Sequence, residues 1–258
     1  MKVQFPDIKE IFLPDKGFDL IDIDLEGADA QVVAWDANAE GMKDAFRKGL
    51  KIHAVNAELM FPDEGDYNFF KAKSPGLSEK RYQECKIGCH ATNYGVGVGT
   101  LSAHTGWRQN EARNFQQRYF SKRPEIKQWH KKVEYELLST GAVENQFGFK
   151  TRFFDRLENC FTNALAYKPQ STVLVVCMKG ALSIRKYLYP DAQILLQVHD
   201  SLVIQIQKRK RNATLRQMHE MLHEIEVPYE DPLIIPWGLS LSSKNWGDCK
   251  PRDWNEFL

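Results

Sequence analysis

The chain has 258 residues, of which 43% are hydrophobic and 27% charged. That is ordinary globular usage and excludes a disordered, collagen-like or low-complexity polypeptide. The formal net charge of +1 is unevenly spread. Residues 1–70 carry 7 Lys/Arg against 15 Asp/Glu, residues 71–152 carry 15 against 7, and residues 153–258 carry 13 against 12. A basic segment inside a neutral chain suggests a polyanion bound on one side, or else two oppositely charged faces with no ligand. No run of about 18 apolar residues is present and the first ten residues lack an apolar signal core, so no membrane partner is expected. Five cysteines, at 85, 89, 160, 177 and 249, fit a reducing cytoplasm better than a disulfide framework.

In chain order, residues 3–13 read as a lead-in strand, and residues 18–25 (FDLIDIDL) as a strand of alternating apolar and acidic residues. Residues 41–59 have helical spacing. Residues 61–76 are rich in Pro, Gly and Asp and read as a loop. Residues 78–94 read as a helix with Ser78 as N-cap, ended by the glycines of 95–99. Two helices follow over 110–120 and 124–138, with Pro124 in a first turn. A short hairpin is expected over 141–152, and a long helical stretch over 157–188, broken near Pro169. Residues 193–207 (QILLQVHDSLVIQIQ) form two β-rich runs flanking His199 and Asp200, a hairpin pattern. An amphipathic helix over 212–225 and a strand over 233–241 complete the pattern. Strands at both ends and helices between predict an α/β body with a helical insertion.

Two aspartates stand out by placement. Asp24 ends an apolar strand and Asp200 sits at a hairpin tip, so both are tethered to rigid β elements. Mg²⁺ is typically held by one or two carboxylates plus substrate phosphates, and two such ions suit phosphoryl chemistry. Either residue alone would more simply be turn chemistry, and Asp22 competes with Asp24. On the helix before Tyr94, Lys86, His90 and Tyr94 recur every four residues and share one face. A cation, a near-neutral imidazole and a ring in one stripe suit a triphosphate and a base; a solvated face with one packed aromatic is the plainer alternative. Cys85, Cys89 and His90 lack zinc-ligand spacing, so buried structural cysteines are expected.

Together these segments resemble the polymerase body of family A DNA polymerases. The strand DIDLEG with the following helix, which carries Lys51-Ile52-His53, resembles motif A. KIGCHATNYG (86–95) is similar to the fingers helix ending Asn-Phe/Tyr-Gly, and QVHDS (197–201) resembles motif C. Pro169-Gln170-Ser171-Thr172 and Asn245-Trp246 resemble two further family signatures. The resemblance implies a palm with a mainly antiparallel sheet at 1–33 and 153–258, inserted helical fingers at 34–152, and no thumb. It implies template-directed transfer of dNTPs to a primer 3′-hydroxyl on primer-template DNA. Two Mg²⁺ ions, or Mn²⁺, would sit on Asp24 and Asp200.

By the same resemblance Lys86 meets the triphosphate and His90 stands where the family has a Lys that protonates pyrophosphate. Tyr94 packs on the sugar, His199 lies by the primer end, Gln170 and Gln197 touch the nascent duplex, and Arg81 joins the substrate-binding set. The chain departs from the family where Asp29 replaces a Glu beneath the sugar 2′ position, Val98 a Tyr, and Ser201 the Glu after Asp200. Lacking a thumb, the chain is expected to act with a second polypeptide carrying thumb and 3′–5′ exonuclease. A non-catalytic nucleic-acid-binding subunit and an RNA-synthesising relative are the alternatives.

Overall fold

A computed structural model describes residues 8–258. It divides into two compact units, residues 8–28 with 172–258 and residues 29–171. Elements run in the order β1 (Phe18–Leu25), α1 (Ala28–Asp36), α2 (Glu40–Arg47), α3 (Ile52–Met60), α4 (Tyr67–Ala72), α5 (Leu77–Asn93), α6 (Val98–Thr105), α7 (Gln109–Lys122), α8 (Pro124–Thr140), β2 (Ala142–Glu144), β3 (Lys150–Arg152), α9 (Phe161–Tyr187), β4 (Ala192–Val198), β5 (Ser201–Gln207), α10 (Arg211–Leu222), β6 (Glu226–Val227), β7 (Leu233–Ile234), β8 (Trp237–Ser242) and β9 (Lys250–Arg252). No described helix is long and apolar enough to cross a membrane.

The first unit is built on a five-stranded sheet in the order β4-β5-β1-β8-β9, every pair antiparallel. The expected mixed fold with an antiparallel sheet is therefore what the chain forms. Strand β1 lies at its centre, and Leu20, Ile21 and Ile23 are fully buried, which explains why its apolar residues do not keep to one face. Its first acid, Asp19, is buried and compensated. It accepts from Ser243 Oγ at 2.6 Å and from Arg211 at 3.2 Å, with Lys208 nearby.

The second unit is mostly helical. Helix α5 turns a small-residue face inward: Cys85 and Cys89 are buried, as expected, and Gly88 lies where a Cβ would meet the Phe115 ring at 2.6 Å. At its end Asn93 is held from two sides. Tyr119 donates to its side chain at 2.9 Å, and a His130 ring nitrogen lies 2.8 Å from its carbonyl. Gly95 follows with φ +69°, where a Cβ would also come within 2.8 Å of Leu165. The Asn-Tyr-Gly signature thus has a structural reason at both flanks of Tyr94.

Several expectations need correction. The lead-in strand lies partly outside the described residues, and Ile8–Ile11 is a single 3₁₀ turn. The helix over 41–59 is two helices, because the chain turns at Gly49 with φ +64°. The loop over 61–76 contains α4, capped by Asp66, whose carboxylate accepts from Phe69 N at 2.8 Å. Ser78 is not the N-cap of α5. Gly76 is, and the Ser78 hydroxyl donates to the Phe69 carbonyl instead. The glycines after α5 do not stay irregular; α6 begins at Val98. Helix α9 runs through Pro169 unbroken for 27 residues. Buried residues anchor it on both sides of the proline, Ala164 and Leu165 before it and Val176 and Cys177 after it, and packing overrides the one lost hydrogen bond. The last predicted strand divides into β7 and β8.

Candidate active site

The carboxylates of β1 have distinct fates. Asp22 accepts from Trp246 Nε1 at 2.7 Å, so the Asn245-Trp246 signature serves to hold it. Asp24, two residues on, reaches the end of the strand. There it pairs in register with Ser201 of β5 on one side and Gly238 of β8 on the other. Asp200 occupies the two-residue turn between β4 and β5, and its carbonyl accepts from Leu25 N at 3.3 Å. The turn is made by His199 in the left-handed region, φ +54°, the sign that tight hairpins require. The sheet register thus sets Asp24 and Asp200 near each other at one end of the strands.

Partial burial, then the charges of Asp22, Asp200 and Glu26, hold the Asp24 carboxyl above its ordinary range. Burial and the nearby Asp200 push the Cys177 thiol up to about 11. Asp24 and Glu26 open onto a cleft of about 360 Å³ lined by Trp237, Gly238 and Trp254. A Cβ at Gly238 would stand 2.7 Å from Asp24 Oδ1, so the carboxylate depends on a bare glycine across the ladder.

Such a cluster fits a divalent cation, which would relieve the repulsion that raises Asp24. Among the described residues no group of three or more His, Cys, Asp or Glu side chains closes around an ion. His199 and Gln197 lie exposed at the same hairpin, and the Gln197 amide donates to the His199 carbonyl.

The second unit gathers another group along α5. Lys86 and His90 are exposed one turn apart, and the His90 and Tyr94 rings meet edge-to-face at 4.4 Å. The Tyr94 hydroxyl donates to Asp29 Oδ2 at 2.6 Å. Burial, then that carboxylate, pushes the phenol far above its ordinary value, while a hydrogen bond from Gln170 pulls the other way. Asp29, Tyr94 and Gln170, far apart in sequence, therefore form one polar assembly. Burial and Lys86 lower the His90 imidazole, and Asp29 partly offsets them.

His53 belongs to the same neighbourhood. Burial, then Lys86, His90 and Lys73, depress it to about 4, and its Nδ1 is buried without a partner. The sequence showed His53 only as part of a family motif, with no role attached. Arg81 lies elsewhere, about 140° around α5 from Lys86 by helical geometry. Its guanidinium is committed to Glu64 at 2.6 and 2.7 Å and to Glu84 at 2.7 Å, and it stacks over Phe61. Gly238 had no sequence signal at all, because its importance comes from register.

The profile of DNA polymerase family A matches residues 2–248. The chain belongs to this family. Similar proteins include the thermostable DNA polymerase I of Thermus filiformis, 26% identical over 236 residues, covering 86% of this chain and 27% of that protein. DNA polymerase I of Helicobacter pylori is 23% identical, covering 94% of this chain and 26% of that protein. The thermostable DNA polymerase I of Thermus aquaticus is 26% identical, covering 94% and 29%. The fold matches the POL domain of Pol1 from M. smegmatis, solved in complex with DNA primer-template and dNTP. That match has a TM-score of 0.77 at 17% identity and covers 95% of this chain and 44% of that one. The chain spans about a quarter of the length of the curated relatives it matches.

Proposed function

We propose that this chain is a DNA-directed DNA polymerase, the first unit acting as palm and the second as fingers. The observation that carries this reading is the closeness of Asp24 and Asp200 at adjoining strand ends, with the Asp24 carboxyl held up by burial and by like charge. In the reaction the primer 3′-hydroxyl gives up its proton to water and its oxygen attacks the α-phosphorus of a dNTP. The bond to the bridging oxygen breaks, and pyrophosphate leaves after taking up a proton. Asp24 and Asp200 would hold Mg²⁺, two ions in the full site with Mn²⁺ as a substitute, supplying Lewis-acid activation and charge neutralisation.

The chain's own groups do the rest. Lys86 and His53 offer cationic and imidazole contacts to the triphosphate. His90, neutral in the free protein, gains a proton beside that anion and returns it to the leaving pyrophosphate. Tyr94 presents its ring to the sugar while its hydroxyl holds Asp29 as the wall beneath the 2′ position. His199 and Gln197 stand at the hairpin for the primer end and nascent duplex, and Gln170 steadies Tyr94. A second polypeptide carrying thumb and 3′–5′ exonuclease would supply the duplex grip that phosphate contacts give. Asp29 keeps an RNA-synthesising variant of the reaction open, since it is one methylene shorter than Glu.

The test is primer extension with Mg²⁺ and dNTPs, with and without a thumb-bearing fragment, beside Asp200→Asn. Extension that the substitution abolishes supports the reading. Extension equal in wild type and variant, or none under either condition from folded protein, overturns it. Incorporation of rNTPs at rates matching dNTPs would replace DNA synthesis by RNA synthesis as the activity.

A further inference from the structure

Helix α10 and its C-cap residue His223 carry the sequence His219-Glu220-Met221-Leu222-His223, a pattern that the polymerase reading does not use. Histidines four apart on a helix share one face and are a recognised chelating pair for transition metals. In the first unit the two imidazoles lie against each other, 4.0 Å between centroids and tilted 32°. Both are only partly buried. The His223 Nδ1 lies 2.9 Å from the His219 carbonyl, which can only accept. That bond puts the ring proton on Nδ1 and leaves Nε2 as an open base. Metal-bound histidines characteristically donate their second nitrogen to a carbonyl in this way. Trp254 closes the other side, its ring 5.3 Å from His219.

We propose that His219 and His223 form a two-histidine site for a borderline divalent ion such as Zn²⁺, Ni²⁺ or Cu²⁺, separate from the carboxylate site at Asp24 and Asp200. To chelate one ion the two side chains would reorient so that a nitrogen of each ring points at it in the ring plane from roughly 2.0–2.1 Å. Among the described residues no third His, Cys, Asp or Glu joins the pair. Water fills the remaining positions, which makes the site labile and gives no closed catalytic zinc centre. Affinity follows the order Zn²⁺ < Cu²⁺ > Ni²⁺, and Mg²⁺, which prefers oxygen, does not compete.

The experiment is calorimetric titration of untagged full chain with Ni²⁺ in excess Mg²⁺, comparing wild type with His223→Gln and His219→Gln. Circular dichroism checks that α10 survives in each variant. One equivalent should bind to the wild type, and each substitution should weaken it by about tenfold or more. Equal affinity in wild type and both folded variants, or no binding by the wild type at about 100 μM, overturns the site.

Discussion

The Gly238→Ala substitution tests the carboxylate pair most directly. The new methyl would stand 2.7 Å from Asp24 Oδ1, whereas carbon and oxygen rest at about 3.3–3.6 Å. The oxygen must therefore retreat by about 0.6 Å or more to reach that separation. Asp24 has a short side chain open to solvent on one side, so it can rotate away at a cost of about 0.5–1.5 kcal/mol. Replacing Gly by Ala within a strand returns roughly 0.5–1 kcal/mol of backbone entropy. Stability should barely change, and the melting temperature should move by less than about 4 °C. Activity should not be spared, since displacing a catalytic group by about 1 Å costs on the order of 100-fold. Single-turnover primer extension should fall about 30- to 100-fold while thermal unfolding stays near wild type. Combined with Asp24→Asn, the alanine should cost little more, because both changes act on one group. Activity within about threefold of wild type, or a loss that persists undiminished when Asp24→Asn is already present, would refute the reasoning.

Two further outcomes follow from the second unit. Tyr94→Phe removes the donor that holds Asp29, a charge-assisted bond worth about 1.5–3 kcal/mol. Unfolding should occur at lower temperature and the ratio of rNTP to dNTP incorporation should rise; an unchanged ratio would detach Asp29 from sugar selection. His53 is depressed to about 4 in the fold against an unperturbed value of about 6.5. Its protonation therefore favours the unfolded chain. This contribution leaves stability constant above about pH 6.5, lowers it as pH falls from there towards about 4, and levels off below that. Full realisation would amount to about 3 kcal/mol, and partial exposure reduces it. His53→Gln should flatten that acid limb in denaturant titrations, and an identical limb would show that His53 does not titrate with folding.

Much of this protein was legible in its residues because the signals were local. The alternation of β1, the two-residue turn at His199-Asp200 and the four-residue spacing of Lys86, His90 and Tyr94 each follow from short-range geometry. What failed locally failed for tertiary reasons. Pro169 is an interior helix breaker by its covalent structure, yet α9 continues because apolar residues on both sides of it are buried. Ser78 has a capping side chain, but Phe69 offers its hydroxyl an acceptor, and Gly76 takes the terminus.

The choice among the three acids of β1 was a tertiary decision too. Asp19 is compensated by Arg211 and Ser243, Asp22 accepts from Trp246, and Asp24 stands half-buried beside Asp22, Asp200 and Glu26. Sequence determined that a strand would end in an aspartate and that a hairpin would present another. Only the sheet register put them together, gave Asp24 a neighbour without a side chain, and joined Tyr94 to a carboxylate 65 positions away. Those facts depend on contacts between distant segments, and a linear pattern does not contain them.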